Sequence, residues 1–136
     1  MSYAAAAALQ TAIYGLLEGD TAVQALAGSR IFDAAPVGEV PSLYLVLGPE
    51  EVRDRSEKSG HMARHEFTVS VVSDQGGFLA AKSLAGAISD ALIDARPVLS
   101  RGRVLHMDFR RASARRTGRG TRRQIDLRFS ALVADD

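Results

Sequence analysis

Three histidines and two aspartates are the side chains whose spacing invites a chemical reading. His61 and His65 stand four apart, the separation that puts two imidazoles on one metal when the backbone is helical. The residues from His65 onward alternate apolar and polar, which is a strand pattern, and His61 precedes them in loop-like sequence. The pair therefore does not converge, and no third ligand stands near it. His106 lies alone on the polar side of another alternating segment, where a solvated or hydrogen-bonded imidazole accounts for it. Asp108 and Asp126 form a carboxylate pair only if their strands are neighbours, and Arg110 and Arg128 on the same faces make cross-strand ion pairs the simpler expectation. The chain has no cysteine, which excludes a thiolate nucleophile, a zinc–thiolate site and a disulfide framework. No nucleophile elbow, Walker loop or dinucleotide fingerprint occurs. Gly118-Arg119-Gly120 is too short for a phosphate loop and precedes a strand where a helix is needed. The expectation is a non-enzymatic protein with no metal and no cofactor.

The strongest signal is basic. Arg110, Arg111, Arg115, Arg116, Arg119, Arg122 and Arg123 fall within fourteen residues. Residues 1–94 carry six Lys/Arg against twelve Asp/Glu, and residues 95–136 carry eleven Arg against four Asp, so a net charge of +1 conceals an acidic and a basic part. Such asymmetry favours head-to-tail self-association or an anionic partner. No aromatics interleave with the arginines, which argues against stacking of single-stranded bases, and no helix carries them into a major groove. The expected role is protein contact, with the acidic segment of a neighbouring copy as one candidate: Glu50, Glu51, Asp54 and Glu57. Phosphate contact through residues 110–123 is the alternative, a nucleic-acid-binding module.

The elements that hold these residues follow from periodicity. Residues 64–94 organise the rest: His65, Phe67, Val69 and Val71 point one way and Glu66, Thr68 and Ser70 the other, a two-faced strand. Ser73 or Asp74 is expected to cap the helix that follows the turn at 75–77, with Ala81, Leu84, Ala85, Ile88, Ala91 and Leu92 on one stripe. Residues 4–18 form an alanine-rich helix ended by Gly19. Asp20 or Thr21 starts a second, shorter helix stopped by Gly28. Residues 30–33 are a short strand, and Pro36 and Pro41 keep the linker after it extended. Residues 42–47 read as a central strand ended by Gly48-Pro49. Residues 50–60 and 112–120 are expected to be long mobile loops. Residues 103–110 form a strand with Leu105, Met107 and Phe109 on one face. Residues 121–133 form the last, with Ile125, Leu127, Phe129 and Ala131 facing in; the two make an antiparallel hairpin. The sum is a single α+β domain over 1–136: a mainly antiparallel four- to five-stranded sheet with helices packed on one face and a polar opposite face. No apolar run reaches the roughly 20 residues that span a bilayer, and the first residues lack a signal peptide's pattern, so folding in the cytoplasm without a membrane partner is expected.

The order of pieces resembles a known family. The matching stretches are Leu9-Gln10 with Ile13-Tyr14 and Leu17, then Arg30-Ile31-Phe32-Asp33-Ala34-Ala35-Pro36, then Tyr44-Leu45-Val46-Leu47-Gly48. They continue through Arg64-His65-Glu66-Phe67-Thr68-Val69-Ser70-Val71-Val72-Ser73, Gly76-Gly77 and the Ala81-Lys82 to Ala87-Ile88 helix. Together they are similar to the tail terminators, the small tail-completion proteins of long-tailed bacteriophages and gene transfer agents. The resemblance implies a structural virion protein at the head–tail junction: a homohexameric ring that caps the tail tube, ends its polymerisation and meets the head-side connector or stopper. DNA is implied to pass through its lumen without sequence-specific binding. The resemblance supplies no site residues, and a closed ring needs heterologous interfaces.

Overall fold

The alanines after Tyr3 set the first element. In the computed structural model, which describes residues 3–58, 60–74 and 77–135, they open helix α1 (Ala6–Gly19), which buries Ala6, Ala8, Leu9, Ile13 and Leu17. Asp20 leaves the helix with extended backbone, and its side chain accepts a hydrogen bond from the Val23 N–H at 3.0 Å, capping helix α2 (Thr21–Ala27). Gly28, at a φ of 56°, ends α2. Arg30 then folds back, its Nε and Nη2 donating to the carbonyls of Ala27 and Leu26 at 2.8 and 3.0 Å. The last carbonyls of α2 are thereby satisfied.

The sheet contains strands β1 (Ile31–Phe32), β2 (Leu43–Asp54), β3 (Met62–Ser73), β4 (Arg103–Thr117) and β5 (Arg122–Ala134), in the order β1-β2-β3-β5-β4. Only β1 runs parallel to its neighbour; every other pairing is antiparallel. Helix α3 (Leu79–Leu92) follows β3 and turns Ala81, Leu84, Ala85, Ile88 and Leu92 inward. The three helices cover the face that carries Leu43, Leu45, Phe67, Val69, Val71, Met107, Ile125, Leu127, Phe129 and Val133. At its centre Phe67 stacks on Phe129 with centroids 5.6 Å apart, and Phe109 meets Phe129 edge-on at 5.9 Å. The α+β architecture and the inward stripe of the last strand are as the sequence reads.

Three expectations are corrected. Residues 50–60 are not a long loop: β2 continues through a bulge at Gly48-Pro49, and residues 50–54 pair with residues 63–67. Pro49 sits where the bulge already interrupts the ladder, so its missing N–H removes no regular bond. Residues 112–120 are likewise mostly strand. β4 pairs with β5 as far as Thr117, leaving Gly118–Gly120 as a tight 3-10 turn. Both segments lie on outer strands and are mostly exposed, which erases the apolar alternation that marks a strand in sequence. Third, neither Ser73 nor Asp74 caps α3. Ser73 is the last residue of β3, the Asp74 N–H donates to the Ser42 carbonyl at 2.9 Å, and α3 starts after Phe78 with no side-chain cap. Gln75 and Gly76 of the expected turn lie outside the described residues, as do Met1, Ser2 and Ser59.

Candidate assembly interface

Register decides which charged side chains meet. On the face without helices, residues directly opposite each other across strands carry like charge. Arg53 pairs with Arg64, Glu51 with Glu66, and Arg128 with Arg111. Asp108 joins the acidic row, since Ser130 lies opposite both Glu66 and Asp108. The open face is therefore banded, and opposite charges sit two residues apart along a strand. Direct like-charge neighbours are unfavourable, and contacts along and between strands offset them. Arg53 reaches Glu51 at 2.8 Å, His106 Nδ1 reaches Asp108 at 3.2 Å, and Arg64 donates to the Ser130 hydroxyl at 2.7 Å.

Asp126 is the best-connected carboxylate of this face. Ser70 Oγ donates to it at 2.6 Å and Gln124 Nε2 at 2.9 Å, and Arg115 forms an ion pair with its other oxygen. Burial alone raises its pKa, but these three donors outweigh burial and hold it below the ordinary carboxylate value. Asp126 and Asp108 are not a pair. Asp126 lies opposite Ser70 and Ser113, whereas Asp108 lies opposite Ser130. The partner of Asp126 is Arg115 rather than Arg110 or Arg128, because Arg110 falls in a second bulge between Phe109 and Arg111. The β2 bulge at Gly48-Pro49 and the β4 bulge at Arg110 sit level with each other across the sheet, on either side of Thr68 and Arg128. A polar dish of about 420 Å³ opens there, lined by Thr68, Ser70, Arg111, Ser113 and Arg128 among others. Bulges sharpen local twist, which accounts for the concavity.

The arginine run divides by role. Arg123 is held: its guanidinium lies 5.5 Å from the centroid of Phe78, and Nη1 donates to the Gly120 carbonyl at 2.8 Å. Arg115 is tied to Asp126. Arg110, Arg111, Arg116, Arg119 and Arg122 have neither an ion pair nor a side-chain hydrogen bond among the described residues. Arg119 stands at the turn with a φ of 60°. Of the acidic set, Glu51 binds Arg53, and Glu50 accepts from the Tyr3 hydroxyl while partial burial raises its pKa. Asp54 accepts from the Ser56 hydroxyl at 2.6 Å, which lowers its pKa to about 2. Glu57 lies in the turn between β2 and β3. The β2–β3 turn and the β4–β5 turn stand at opposite ends of the sheet, because Met62 pairs with Ala134 at one end and Ser73 with Arg123 at the other. Within one chain the acidic and basic sets are therefore not brought together.

The histidines do not converge either. His65 points into the core, fully buried, with neither ring nitrogen hydrogen-bonded among the described residues. Among the described residues no group of three His, Asp or Glu stands close enough to hold a metal ion. Two features have no plain sequence signal. Among the described residues β4 has no strand on its outer side, and β1 pairs with Leu45 and Val46 alone, leaving residues 48–53 of β2 without an outer strand as well. Beside β4, a shallow apolar groove of about 280 Å³ runs between Ala85, Gly86 and Ser89 of α3 and Phe109, Ala112 and Ala114.

Unfilled sheet edges and charge banding among the described residues mark the open face and its borders as candidate contact surfaces. The chain belongs to the tail completion protein gp17 family, which matches residues 11–134. Its class is thus that of structural tail proteins. Its fold is similar to a chain in the solved structure described as the virion of a native gene transfer agent particle, with a TM-score of 0.92. The two are 48% identical, and the likeness covers 98% of this chain and 99% of that one. No curated protein sequence matches this chain. The resemblance drawn from the sequence is borne out by both matches.

Proposed function

We propose that the protein is the tail terminator of a long-tailed phage or gene transfer agent: one folding unit that closes into a homohexameric ring, caps the tail tube and stops its polymerisation. The observation that carries this reading is a sheet with open edges on both sides, in a chain nearly coextensive with a component of a gene transfer agent virion. Unlike edges favour a heterologous contact, which closes into a ring when the rotation fits. The charged hairpins then occupy opposite rims. One bears Arg115, Arg116, Arg119, Arg122 and Arg123; the other bears Asp54 and Glu57, with Glu50, Glu51, Arg110 and Arg111 nearer the middle. Each rim meets a different neighbour, the tail tube protein on one side and the head-side connector or stopper on the other. DNA crosses the lumen without sequence readout. The role is structural, in the virion tail after assembly from the host cytoplasm, and invokes no catalysis. The test is electron microscopy of the purified protein added to polymerising tail tube protein. Six-fold rings on tube ends and halted growth are expected; tubes that grow unaltered with bare ends overturn the proposal.

A second reading, nucleic-acid binding, rests on the five arginines without partners among the described residues. It requires duplex affinity that falls with salt at a slope of about −0.9 per neutralised phosphate and is lost on Arg116→Ala with Arg119→Ala.

A further inference from the structure

We infer that copies of this chain join edge to edge, the outer edge of β4 against residues 48–53 of β2 in the next copy, antiparallel and staggered by one charge row. The inference rests on the self-association proposed above and names its surface. Direction comes first. β2, β3, β5 and β4 alternate in direction, so β4 runs opposite to β2. Copies related by rotation about an axis along the strands preserve each strand's direction, and β4 then meets its neighbour's β2 antiparallel. Both edges present unpaired main-chain groups, the ordinary template for strand addition.

The charge bands fix the stagger. If the copies joined level, the bands would continue across the seam, placing Glu51 beside Asp108 and Arg53 beside His106. A shift of one row, roughly 7 Å along the strand toward the β4–β5 turn, sets Arg53 opposite Asp108 and Glu51 opposite Arg111. Two like-charge or neutral contacts become two opposite-charge contacts. Among the described residues Arg111 has no ion pair or side-chain hydrogen bond, and Arg53 and Glu51 are bound to each other at the surface, so these groups are available to exchange partners. Closing a sheet on itself requires stagger in any case. On the helical side the same seam covers the groove between α3 and β4, where Phe109 is 42% exposed.

The lack of native cysteine makes the test clean. Particles are purified from producing cells carrying Arg53→Cys with Asp108→Cys, or Glu51→Cys with Asp108→Cys, and run on non-reducing gels. Opposed antiparallel residues lie within the Cα separation a disulfide spans. The staggered seam predicts covalent multimers for the first pair and few for the second. Multimers from the second pair alone indicate a level seam and overturn the stagger. No multimers from either pair, with the protein present in particles, overturn the edge join and leave the ring standing. Absence of the unaltered protein from particles overturns the ring reading itself. Amide exchange of the unaltered chain checks the seam without substitutions. The outward amides of β4 are expected to exchange at least about tenfold more slowly in particles than in the free chain, and equal rates contradict the join.

Discussion

His65→Leu is expected to stabilise the protein and to flatten its response to mild acid. The native imidazole sits on the core face of β3, opposite Val52 on one side and Ala131 on the other, with no exposed surface. Neither ring nitrogen finds a partner among the described residues. A buried polar group left unpaired costs about 1–3 kcal/mol, and leucine fills a similar volume without it. The gain at pH 7 is therefore expected to be about 1–3 kcal/mol, or roughly 4 °C in Tm per kcal/mol for a chain of this size. Burial also lowers the pKa of His65 below its ordinary value. The unfolded chain then takes up a proton near pH 6.5 that the folded chain refuses, and ∂ΔG/∂pH is positive in that window. Stability from this group is complete above about pH 6.5 and lost as pH falls through the lower folded value, with a limiting slope of about 1.4 kcal/mol per pH unit. Asp126 and Asp135 have lowered values as well. Their stabilisation is lost only below the ordinary carboxylate range, so the windows separate. Urea unfolding at half-unit steps from pH 7.5 to 5 measures both effects. A less stable variant at pH 7, or a variant that keeps the parent's slope, refutes the reasoning.

Other outcomes follow from the same geometry. Gly102→Ala is expected to cost about 1–3 kcal/mol in thermal unfolding, since Gly102 has a φ of +78° and an added Cβ meets the Ala134 carbonyl oxygen at 2.7 Å. Asp20→Ala removes the cap of α2 and is expected to cost about 1 kcal/mol by urea titration. Combined Arg116→Ala, Arg119→Ala and Arg122→Ala should leave stability within about 0.5 kcal/mol, because none of the three has an ion pair or side-chain hydrogen bond among the described residues, while head–tail joining scored by microscopy falls. Calorimetry of the free chain is expected to show one cooperative transition if residues 1–136 fold as a single domain, as proposed; two separated transitions contradict it.

Legibility differed by region for physical reasons. The strand at His65–Val72 and the helix stripe from Ala81 to Leu92 are plain in sequence because one face is buried and the other wet. The Asp20 cap and the Gly28 stop are plain because those residue types have a backbone reason to stand there. Glu50–Asp54 and Ala112–Thr117 are strands that look like loops, since as outer-strand segments they are mostly exposed and pairing largely defines them. The bulges at Gly48-Pro49 and Arg110 shift which residues share a face, so Arg115, and neither Arg110 nor Arg128, meets Asp126. The arginine cluster is visible in sequence, but its separation from Glu57 by the length of the sheet is a matter of register, which no local pattern states.

The central claim is termination, and tail length measures it most directly. Electron microscopy of particles from producing cells lacking this gene is expected to show tails of uncontrolled length, or heads and tails that fail to join. Particles with tails of normal length, fully joined to heads, contradict the account.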